Sequence, residues 1–447
     1  MLTAEANERL TKVGAGTPMG ELLRRYWIPI RPVSQVLEED VLPVRVLGEN
    51  LVLFRTLKGE LGLVGEHCPH RMTQLKYGYP DDDGLRCCYH GWMFSTVGQC
   101  LDMPLEAPET SFKSRIRIKA YPVKEMGGLV WTYMGPEPVP LLPPWDLFVI
   151  TDAIRQIGIM ELPCNWLQAH ENTGDPTHSA LLHGQYFKYL LKKKGKLDQL
   201  GVEQKQALEA RMNLGVGIES LWVEPSPYGM RKGIKYSSAL GAARDYMSEH
   251  STVIFPFYTQ TGGPGAVRQE FQIRVPIDDT QTYHINYGCF LAIDGVEVPE
   301  QKVIPWYKVP LYDEDGHPVL DNILSQDAHA WIAQGPVTDR TREHLGRTDA
   351  PVVFIRKQFE QQLRVMEQGG DPMNVFRDPD VMPEIMHGGQ WEVSASATGT
   401  NSASSSPKSA YNRGYNVYED ANRYGPAMPH IIAMMRRIEE LAESPQE

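Results

Sequence analysis

The stretch from His67 to Trp92 reads HCPHRMTQLKYGYPDDDGLRCCYHGW and contains two short pairs of potential metal ligands. The first pair is Cys68-x-His70, and the second is Cys87-x-x-His90; sixteen residues separate the two pairs. Thiolate and imidazole side chains bind soft or borderline metals, so the two pairs together predict one four-ligand site. We expect a small domain to form around this site and to present the two pairs in two loops.

The composition of each pair distinguishes two kinds of metal site. A Cys2His2 zinc site would use the same four side chains, but zinc motifs usually place the two Cys together and the two His together. Here each pair mixes one Cys with one His, which suits a Rieske [2Fe-2S] centre, where one iron takes two Cys and the other takes two His. Pro69 and Gly91 suit tight ligand loops, and Gly84 permits a turn between them. The sequence therefore predicts a Rieske cluster, with zinc as the alternative.

Two adjacent cysteines compete for one ligand position in the second loop. The Cys-x-x-His spacing selects Cys87, whereas Cys88 would be the ligand only in a distorted loop.

Length and composition indicate an ordinary globular chain. The 447 residues are enough for two or three domains, and 42% of them are hydrophobic. A net charge of −12 argues against nucleic acid or an anionic membrane surface as the main partner. The six Cys show no disulfide framework spacing, the N-terminus lacks an apolar signal core, and no apolar run reaches the roughly 18–20 residues of a membrane span. We expect a cytoplasmic protein with free thiols.

The order of local patterns predicts an α+β fold in three parts. Residues 1–40 form an N-terminal helical segment that starts with a helix over 3–12, and residues 41–145 form a β domain of short strands that ends in a Pro-rich linker. Residues 146–447 mix helices with antiparallel strands, as in a catalytic domain of the α+β type. This part also contains a Ser-rich loop at 394–409 and an amphipathic C-terminal helix at 428–443. Strands are predicted at 42–47, 50–55, 61–64, 116–123, 128–134, 154–162, 218–223, 230–237, 252–258, 268–275 and 282–293, and helices at 165–182, 202–214, 321–346 and 350–369.

A second metal site is predicted in the segment DPTHSALLH, which contains Asp175, His178 and His183. Two imidazoles and one carboxylate leave open coordination positions, which is the facial arrangement of oxygen-activating non-heme Fe(II). The five-residue spacing of the His differs from the four that a regular α-helix aligns. Pro176 can start or kink the helix there, which would let the two rings converge.

These motifs, in this order, resemble the oxygenase α-subunits of Rieske non-heme iron ring-hydroxylating oxygenases, and among them the phthalate dioxygenase-like group. The resemblance is carried by CPHR, CxYHGW, DPTHSALLH and the opening GTPMGELLRRYW, and it extends over most of residues 1–370. It implies a terminal oxygenase that holds a Rieske [2Fe-2S] cluster and a mononuclear non-heme Fe(II). It also implies a homo-oligomer, either a trimer or two stacked trimers.

The resemblance also assigns roles to individual residues. His178 and His183 match the two imidazole ligands of the mononuclear iron. Asp175 matches a carboxylate that links one of these ligands to a Rieske His, expected to be His90, of the adjacent subunit. The third ligand is a downstream Asp; Asp349 at the start of the 350–369 helix is the expected one, Asp327 competes with it, and Asp339 is a weaker candidate.

The resemblance further implies an aromatic carboxylate and O2 as substrates. Holding a carboxylate in a largely apolar pocket requires Arg or a similar donor. Arg244, in a neighbourhood of small residues, is the expected anchor, although Asp245 could simply pair with it. Arg211 and Lys188 are weaker candidates, and Ser179 could face the pocket.

Electrons must come from another polypeptide, because the sequence has no convincing Gly-rich nucleotide-binding motif and no second Cys cluster. We therefore expect an NAD(P)H-dependent reductase as partner. Cis-dihydroxylation of the substrate is the main expectation, and monooxygenation or O-demethylation would use the same ligands. A Rieske electron carrier without oxygen chemistry and a zinc-stabilised binding protein are the alternatives from other classes.

Overall fold

The computed structural model describes residues 1–387 except 108–111, 152, 214, 237–251, 262–267, 292–297, 299 and 321. The predicted Ser-rich loop and C-terminal helix lie outside the described residues, as does Arg244. Among the helices that are described, none is both long and apolar enough to cross a bilayer.

The first forty residues contain three short helices and one strand. Thr3 caps the first helix by accepting a hydrogen bond from the Ala6 amide at 3.1 Å, and Thr17 caps the second helix in the same way. The elements are α1 Ala4–Thr11, α2 Pro18–Leu23, β1 Trp27–Pro32 and α3 Val33–Glu38.

The Rieske region consists of small antiparallel sheets, as its short alternating runs predict. One four-stranded sheet has the order β2-β3-β4-β9, a second has the order β5-β6-β7-β8, and a three-stranded sheet joins β1, β11 and β10. A small core of apolar side chains, including Val52, Phe54 and Phe94, lies with the two ligand loops. The strands are β2 Val41–Val46, β3 Glu49–Arg55, β4 Leu61–Gly65, β5 Tyr79–Asp81, β6 Gly84–Arg86, β7 Met93–Ser95, β8 Cys100–Asp102, β9 Ala120–Tyr121, β10 Val123–Met126 and β11 Leu129–Tyr133.

The second part is an eight-stranded sheet with helices packed on it, which confirms the α+β prediction. The strand order is β13-β14-β15-β16-β17-β18-β12-β19, and every pair is antiparallel except β12 with β19. The elements are α4 Asp146–Val149, β12 Ala153–Leu162, α5 Trp166–Glu171, α6 His178–Ala180, α7 Phe187–Lys193, α8 Val202–Asn213, β13 Ile218–Ser226, β14 Gly229–Tyr236, β15 Thr252–Ile254, β16 Tyr258–Thr261, β17 Arg268–Pro276, β18 Thr282–Leu291, β19 Trp306–Lys308, α9 Ile323–Ile332 and α10 Ala350–Glu367.

Several predicted elements are shorter or divided in the structure; for example, the helix predicted at 165–182 is divided into α5 and α6. The single strand predicted at 252–258 is a hairpin of β15 and β16, because Phe255 to Phe257 form the turn between them. The helix predicted at 321–346 ends at Ile332, because Gly335 adopts a φ of +91° and Pro336 follows it. The predicted domain boundaries at residues 40 and 145 stay predictions.

The central strands β17 and β18 of the eight-stranded sheet are buried on both faces, and only one of these faces is apolar. Along β17, Phe271, Ile273 and Val275 join the main hydrophobic core, whereas the alternating residues are polar. The polar residues share one face with those that the strand register places beside them. We call this the polar sheet face; its members include Lys232, Thr259, Glu270, Gln272, Arg274, His284 and Asn286.

Candidate metal centres

The two Cys/His pairs occupy two loops that backbone hydrogen bonds close. The Cys68 amide donates to the Thr73 carbonyl at 2.9 Å, and the Cys87 amide donates to the Trp92 carbonyl at 2.8 Å. Gly91 has a φ of +73°, and a Cβ at this position would lie 2.8 Å from the side chain of Pro104. Only glycine fits this turn, which brings His90 back towards the first loop.

The two cysteines selected by the spacing are buried, whereas the competing cysteine is not. Cys68 is 1% exposed and Cys87 is 3% exposed, but Cys88 is exposed. Burial raises the pKa of the Cys68 thiol to about 12, and the adjacent Cys87 thiol adds to the rise. A pair of thiols in this environment ionises only when a cation compensates the charge, which fits a thiolate-bound iron.

The two imidazoles meet above the buried thiols. The rings of His70 and His90 lie 4.4 Å apart, and His70 stacks on Trp92 at 4.5 Å with an angle of 6° between the planes. The Nδ1 atom of His70 is buried and has no hydrogen-bond partner among the described residues. A buried ring nitrogen without a partner fits an iron ligand, and both rings are only half-buried. The four residues therefore fit a cluster whose His side is nearer to solvent than its Cys side.

A second set of ligand atoms converges between two helical segments. The Asp327 carboxylate lies 3.2 Å from His183 Nε2 and 3.5 Å from His178 Nε2. One ligand atom from each of these three residues lies within 4.8 Å of the other two. Two imidazoles and one carboxylate form the facial set expected for a mononuclear Fe(II).

A π-helical turn explains how two His five residues apart can share this site. Residues Leu181–Tyr186 form a π-helix between α6 and α7, and His183 lies within it. Because a π-helix bonds residues five apart, it aligns positions that a regular α-helix would splay. The two rings are 5.2 Å apart and nearly perpendicular.

Neighbouring acceptors orient both imidazoles towards Asp327. His183 Nδ1 lies 2.8 Å from Gln326 Oε1, and His178 Nδ1 lies 2.6 Å from the Asp175 carbonyl oxygen. These acceptors place the ring proton on Nδ1 and leave the Nε2 lone pairs for a metal. Asp327 Oδ1 is buried and has no hydrogen-bond donor among the described residues. The donor set therefore fits a non-heme iron.

The structure does not bring Asp349, the expected third ligand, together with His178 and His183, and it places Asp327 there instead. The Asp349 carboxylate accepts a hydrogen bond from the Gly346 amide at 2.6 Å, and it therefore stabilises the turn that leads into α10. Asp327, the competing candidate, takes the ligand position because α9 packs against the π-helical turn. Asp339 also bonds within its own turn, since its carboxylate accepts a hydrogen bond from the Thr341 hydroxyl at 2.6 Å.

Asp175 lies beside the iron site, and its carboxylate is only half-buried. Its Oδ1 accepts hydrogen bonds from the Thr177 amide and hydroxyl, and its Oδ2 lies 3.7 Å from His178 Nδ1. Burial raises the pKa of Asp175, but His178 and the Thr177 donors outweigh burial and lower it. The carboxylate is therefore ionised, next to a ligand ring.

The predicted substrate residues are spread around the site. Ser179 is half-buried directly after a proposed ligand, Arg211 is half-buried on α8, and Lys188 is exposed. Sequence reasoning missed the buried polar residues Lys232, Arg274 and His284 on the polar sheet face. The alternation of polar and apolar residues along β17 was the signal that could have found Arg274.

Comparison with known proteins identifies the class of both centres. Residues 26–122 match the Rieske [2Fe-2S] domain family. The chain is 37% identical to the oxygenase subunit of 5,5'-dehydrodivanillate O-demethylase from Sphingobium sp. (strain NBRC 103272 / SYK-6), over 86% of both chains. It is 30% identical to the oxygenase subunit of phthalate 4,5-dioxygenase from Pseudomonas putida, over 83% of this chain and 88% of the relative.

A solved structure has the same fold at low identity. The NdmA protein of Pseudomonas putida CBB5 superimposes with a TM-score of 0.56 and 18% identity, over 78% of this chain and 93% of its own. This likeness concerns the fold alone.

The choice between the two adjacent cysteines can be tested by spectroscopy. Cys87→Ser is expected to abolish the visible Rieske spectrum, because a hydroxyl is a poor substitute for a thiolate ligand. Cys88→Ser is the matched control and is expected to retain the spectrum, since Cys88 is exposed. The opposite pattern would assign the ligand role to Cys88.

The third ligand of the mononuclear iron can be tested by metal analysis. Asp327→Ala is expected to lower the iron content from three to two per chain and to abolish turnover, while the Rieske spectrum persists. Asp349→Ala is the control and is expected to retain three irons per chain, because its carboxylate bonds only to its own turn. Loss of the third iron in Asp349→Ala alone would contradict the assignment of Asp327.

Proposed function

The chain belongs to the oxygenase α-subunits of Rieske non-heme iron oxygenases, in the phthalate dioxygenase-like group, and from that premise we propose that it oxygenates an aromatic carboxylate. The main candidate reaction is cis-dihydroxylation of the aromatic ring. The convergence of His178, His183 and Asp327 within 4.8 Å of one another is the observation that carries the proposal, because a Rieske electron carrier needs no such set.

The two metal centres and the residues around them have different roles in the proposed reaction. Bound at these sites, the mononuclear iron would activate O2 and the Rieske cluster would supply it with single electrons from a reductase. Gln326 and the Asp175 carbonyl hold the ligand rings in one tautomer and orientation. The half-buried position of His70 and His90 leaves the cluster close enough to the surface for exchange with another protein chain. An NAD(P)H-dependent reductase is the proposed source of the electrons.

An aromatic acid is the proposed substrate class on two grounds. Phthalate and dehydrodivanillate, the compounds named for the two relatives, both carry carboxylates. The polar sheet face also places the buried cation of Arg274 beside α9, which carries the ligand Asp327. A buried cation requires an anionic partner or a strong acceptor to offset its desolvation.

O-demethylation of a methoxylated aromatic acid is the second candidate. It is favoured because identity to the demethylase relative, 37%, exceeds identity to the dioxygenase relative, 30%. The same three ligands would serve both reactions.

Product analysis with labelled O2 separates the two reactions. The purified holoprotein, a compatible reductase and NAD(P)H are incubated with phthalate and with 3-methoxybenzoate under 18O2. Dihydroxylation is expected to yield a cis-diol with both labels. Demethylation would instead yield formaldehyde and an unlabelled phenol. Failure of every aromatic acid to give an O2-dependent product, with both metals bound, would contradict the proposed function.

We also propose that Asp175 bridges the two centres across a subunit boundary, in a homo-oligomer built from trimers. Its carboxylate is half-buried, ionised and 3.7 Å from the ligand ring of His178, so one side of it remains available to a second chain. The proposed partner is His90 of the adjacent subunit, whose ring is half-buried at the edge of the Rieske loops.

Asp175→Asn tests the bridge, because it keeps the shape of the side chain and removes its charge. We expect a variant with both metals bound, an intact oligomer and a severe loss of turnover. Metal analysis, size-exclusion chromatography and steady-state kinetics measure the three properties. Full activity in the variant, or an enzyme that is active as a dilute monomer, would exclude the bridge.

A further inference from the structure

We infer that Arg274 and His284, neighbours on the polar sheet face, form the subsite that receives the carboxylate of the substrate. This inference rests on the proposed function, an oxygenase acting on an aromatic acid, and it replaces Arg244 as the expected anchor. Its basis is a buried cation that makes no direct ion pair with any described residue.

Two buried arginines elsewhere in this fold are neutralised by carboxylates. Arg340 is fully buried and lies 2.7 Å from Glu171, and Arg356 binds both Glu171 and Glu343. Arg274 is 1% exposed, and the charges of Asp327 and Glu270 favour its cationic form. Among the described residues, however, no carboxylate lies within ion-pairing distance of it, and its Nε has no acceptor. Burying a charge is costly unless a partner compensates it, so the exception needs an explanation.

Hydrogen bonds fix the guanidinium of Arg274 in place and leave some of its N–H groups unused. Its Nη1 donates to Thr259 Oγ1 and to the Gln272 carbonyl, both at 3.0 Å, and its Nη2 donates to Gln272 Oε1 at 2.5 Å. A guanidinium has five N–H donors, and these contacts use three of them. The Nε hydrogen and one Nη2 hydrogen remain. A carboxylate matches such a rigid pair of donors, and holding the group in advance reduces the entropy lost on binding.

His284 supplies a second donor beside Arg274. The register of β17 and β18 places the two residues directly opposite each other. His284 is fully buried, and neither of its ring nitrogens has a partner among the described residues. Burial lowers the pKa of His284, and Arg274 lowers it further, so the ring is neutral and offers one N–H donor. Two unsatisfied side chains at one point of a sheet are costly unless a ligand satisfies them.

The position of Trp331 places this subsite next to the iron site. The Trp331 ring lies 5.6 Å from the Arg274 guanidinium carbon and 5.5 Å from the His284 ring. Trp331 belongs to α9, one turn after the ligand Asp327, so both face the same side of that helix. Trp331 Nε1 is also buried without an acceptor. An aromatic acid anchored at Arg274 and His284 would therefore lie beside Trp331, close to the His178, His183 and Asp327 set.

The polar sheet face supplies a further cation. Lys232 is buried on this face and donates to the Thr173 carbonyl, in the loop that leads to Asp175. It adds positive potential near an incoming anion and also holds that loop, so Lys232 is a positioning residue and no part of the proposed subsite.

The test compares acids with their neutral analogues in the holoenzyme. Arg274→Gln is expected to weaken binding of benzoate and 3-methoxybenzoate roughly tenfold to hundredfold, the loss typical of a charge-assisted hydrogen bond. Binding of benzamide and 3-methoxybenzamide is expected to change little. Titration calorimetry measures binding, and steady-state kinetics is expected to show a larger change in KM than in kcat. Iron content and the Rieske spectrum are expected to be unchanged.

Two further variants act as controls. Arg274→Lys keeps the charge but loses the fork of donors, and it is expected to recover part of the preference for acids. Arg231→Gln removes a half-buried Arg of β14 that pairs with Glu224 at 3.4 Å, and it is expected to leave the preference unchanged.

Each outcome decides for or against the subsite. Equal losses for acids and amides in Arg274→Gln would show that Arg274 only supports the fold, and unchanged acid binding would exclude it as the anchor. A parent enzyme that binds none of the acids would also overturn the inference. If the parent binds acids through Arg274 but forms no O2-dependent product, the subsite stands and the proposed function fails.

Discussion

The convergence of His178, His183 and Asp327 is the constraint on which the catalytic part of the structure depends. A buried carboxylate oxygen without a donor lies 3.2 Å and 3.5 Å from two ring nitrogens. Such a group is costly in a protein interior unless a cation binds it. The π-helical turn, the capped start of α9 and the contacts of Gln326 all serve to hold this arrangement.

The two-faced sheet explains how a reactive centre can be embedded in a stable domain. One face packs apolar side chains such as Phe271 and Ile285 into the main core, which supplies most of the stabilisation. The other face presents Arg274 and His284 to the helix that carries Asp327. Because side chains alternate along a strand, one sheet can supply both the core and the lining of a site.

In the Rieske loops, the Cys ligands and the His ligands differ in their exposure to solvent. Cys68 and Cys87 are buried, whereas His70 and His90 are half-buried; His70 stacks on Trp92, and the two imidazoles meet edge to face. Because the imidazole ligands lie near the surface, the distance for electron transfer between the cluster and a docked protein chain is short. This arrangement supports the proposals of a reductase partner and of a contact between His90 and Asp175 of neighbouring subunits.

The features that short spacings encode could be predicted from the sequence. Both ligand loops, the pair His178 and His183, and most strands and helices follow from patterns within about twenty residues. The proximity of Asp327, and not Asp349, to the two His depends on tertiary packing. Each Asp is associated with a helix, so the local sequence around them does not distinguish the two candidates. Gln326 meets His183 across 143 positions of sequence, and Arg274 approaches α9 only when β17 packs against it. Such contacts arise from the packing of whole helices and strands, and short sequence patterns cannot predict them.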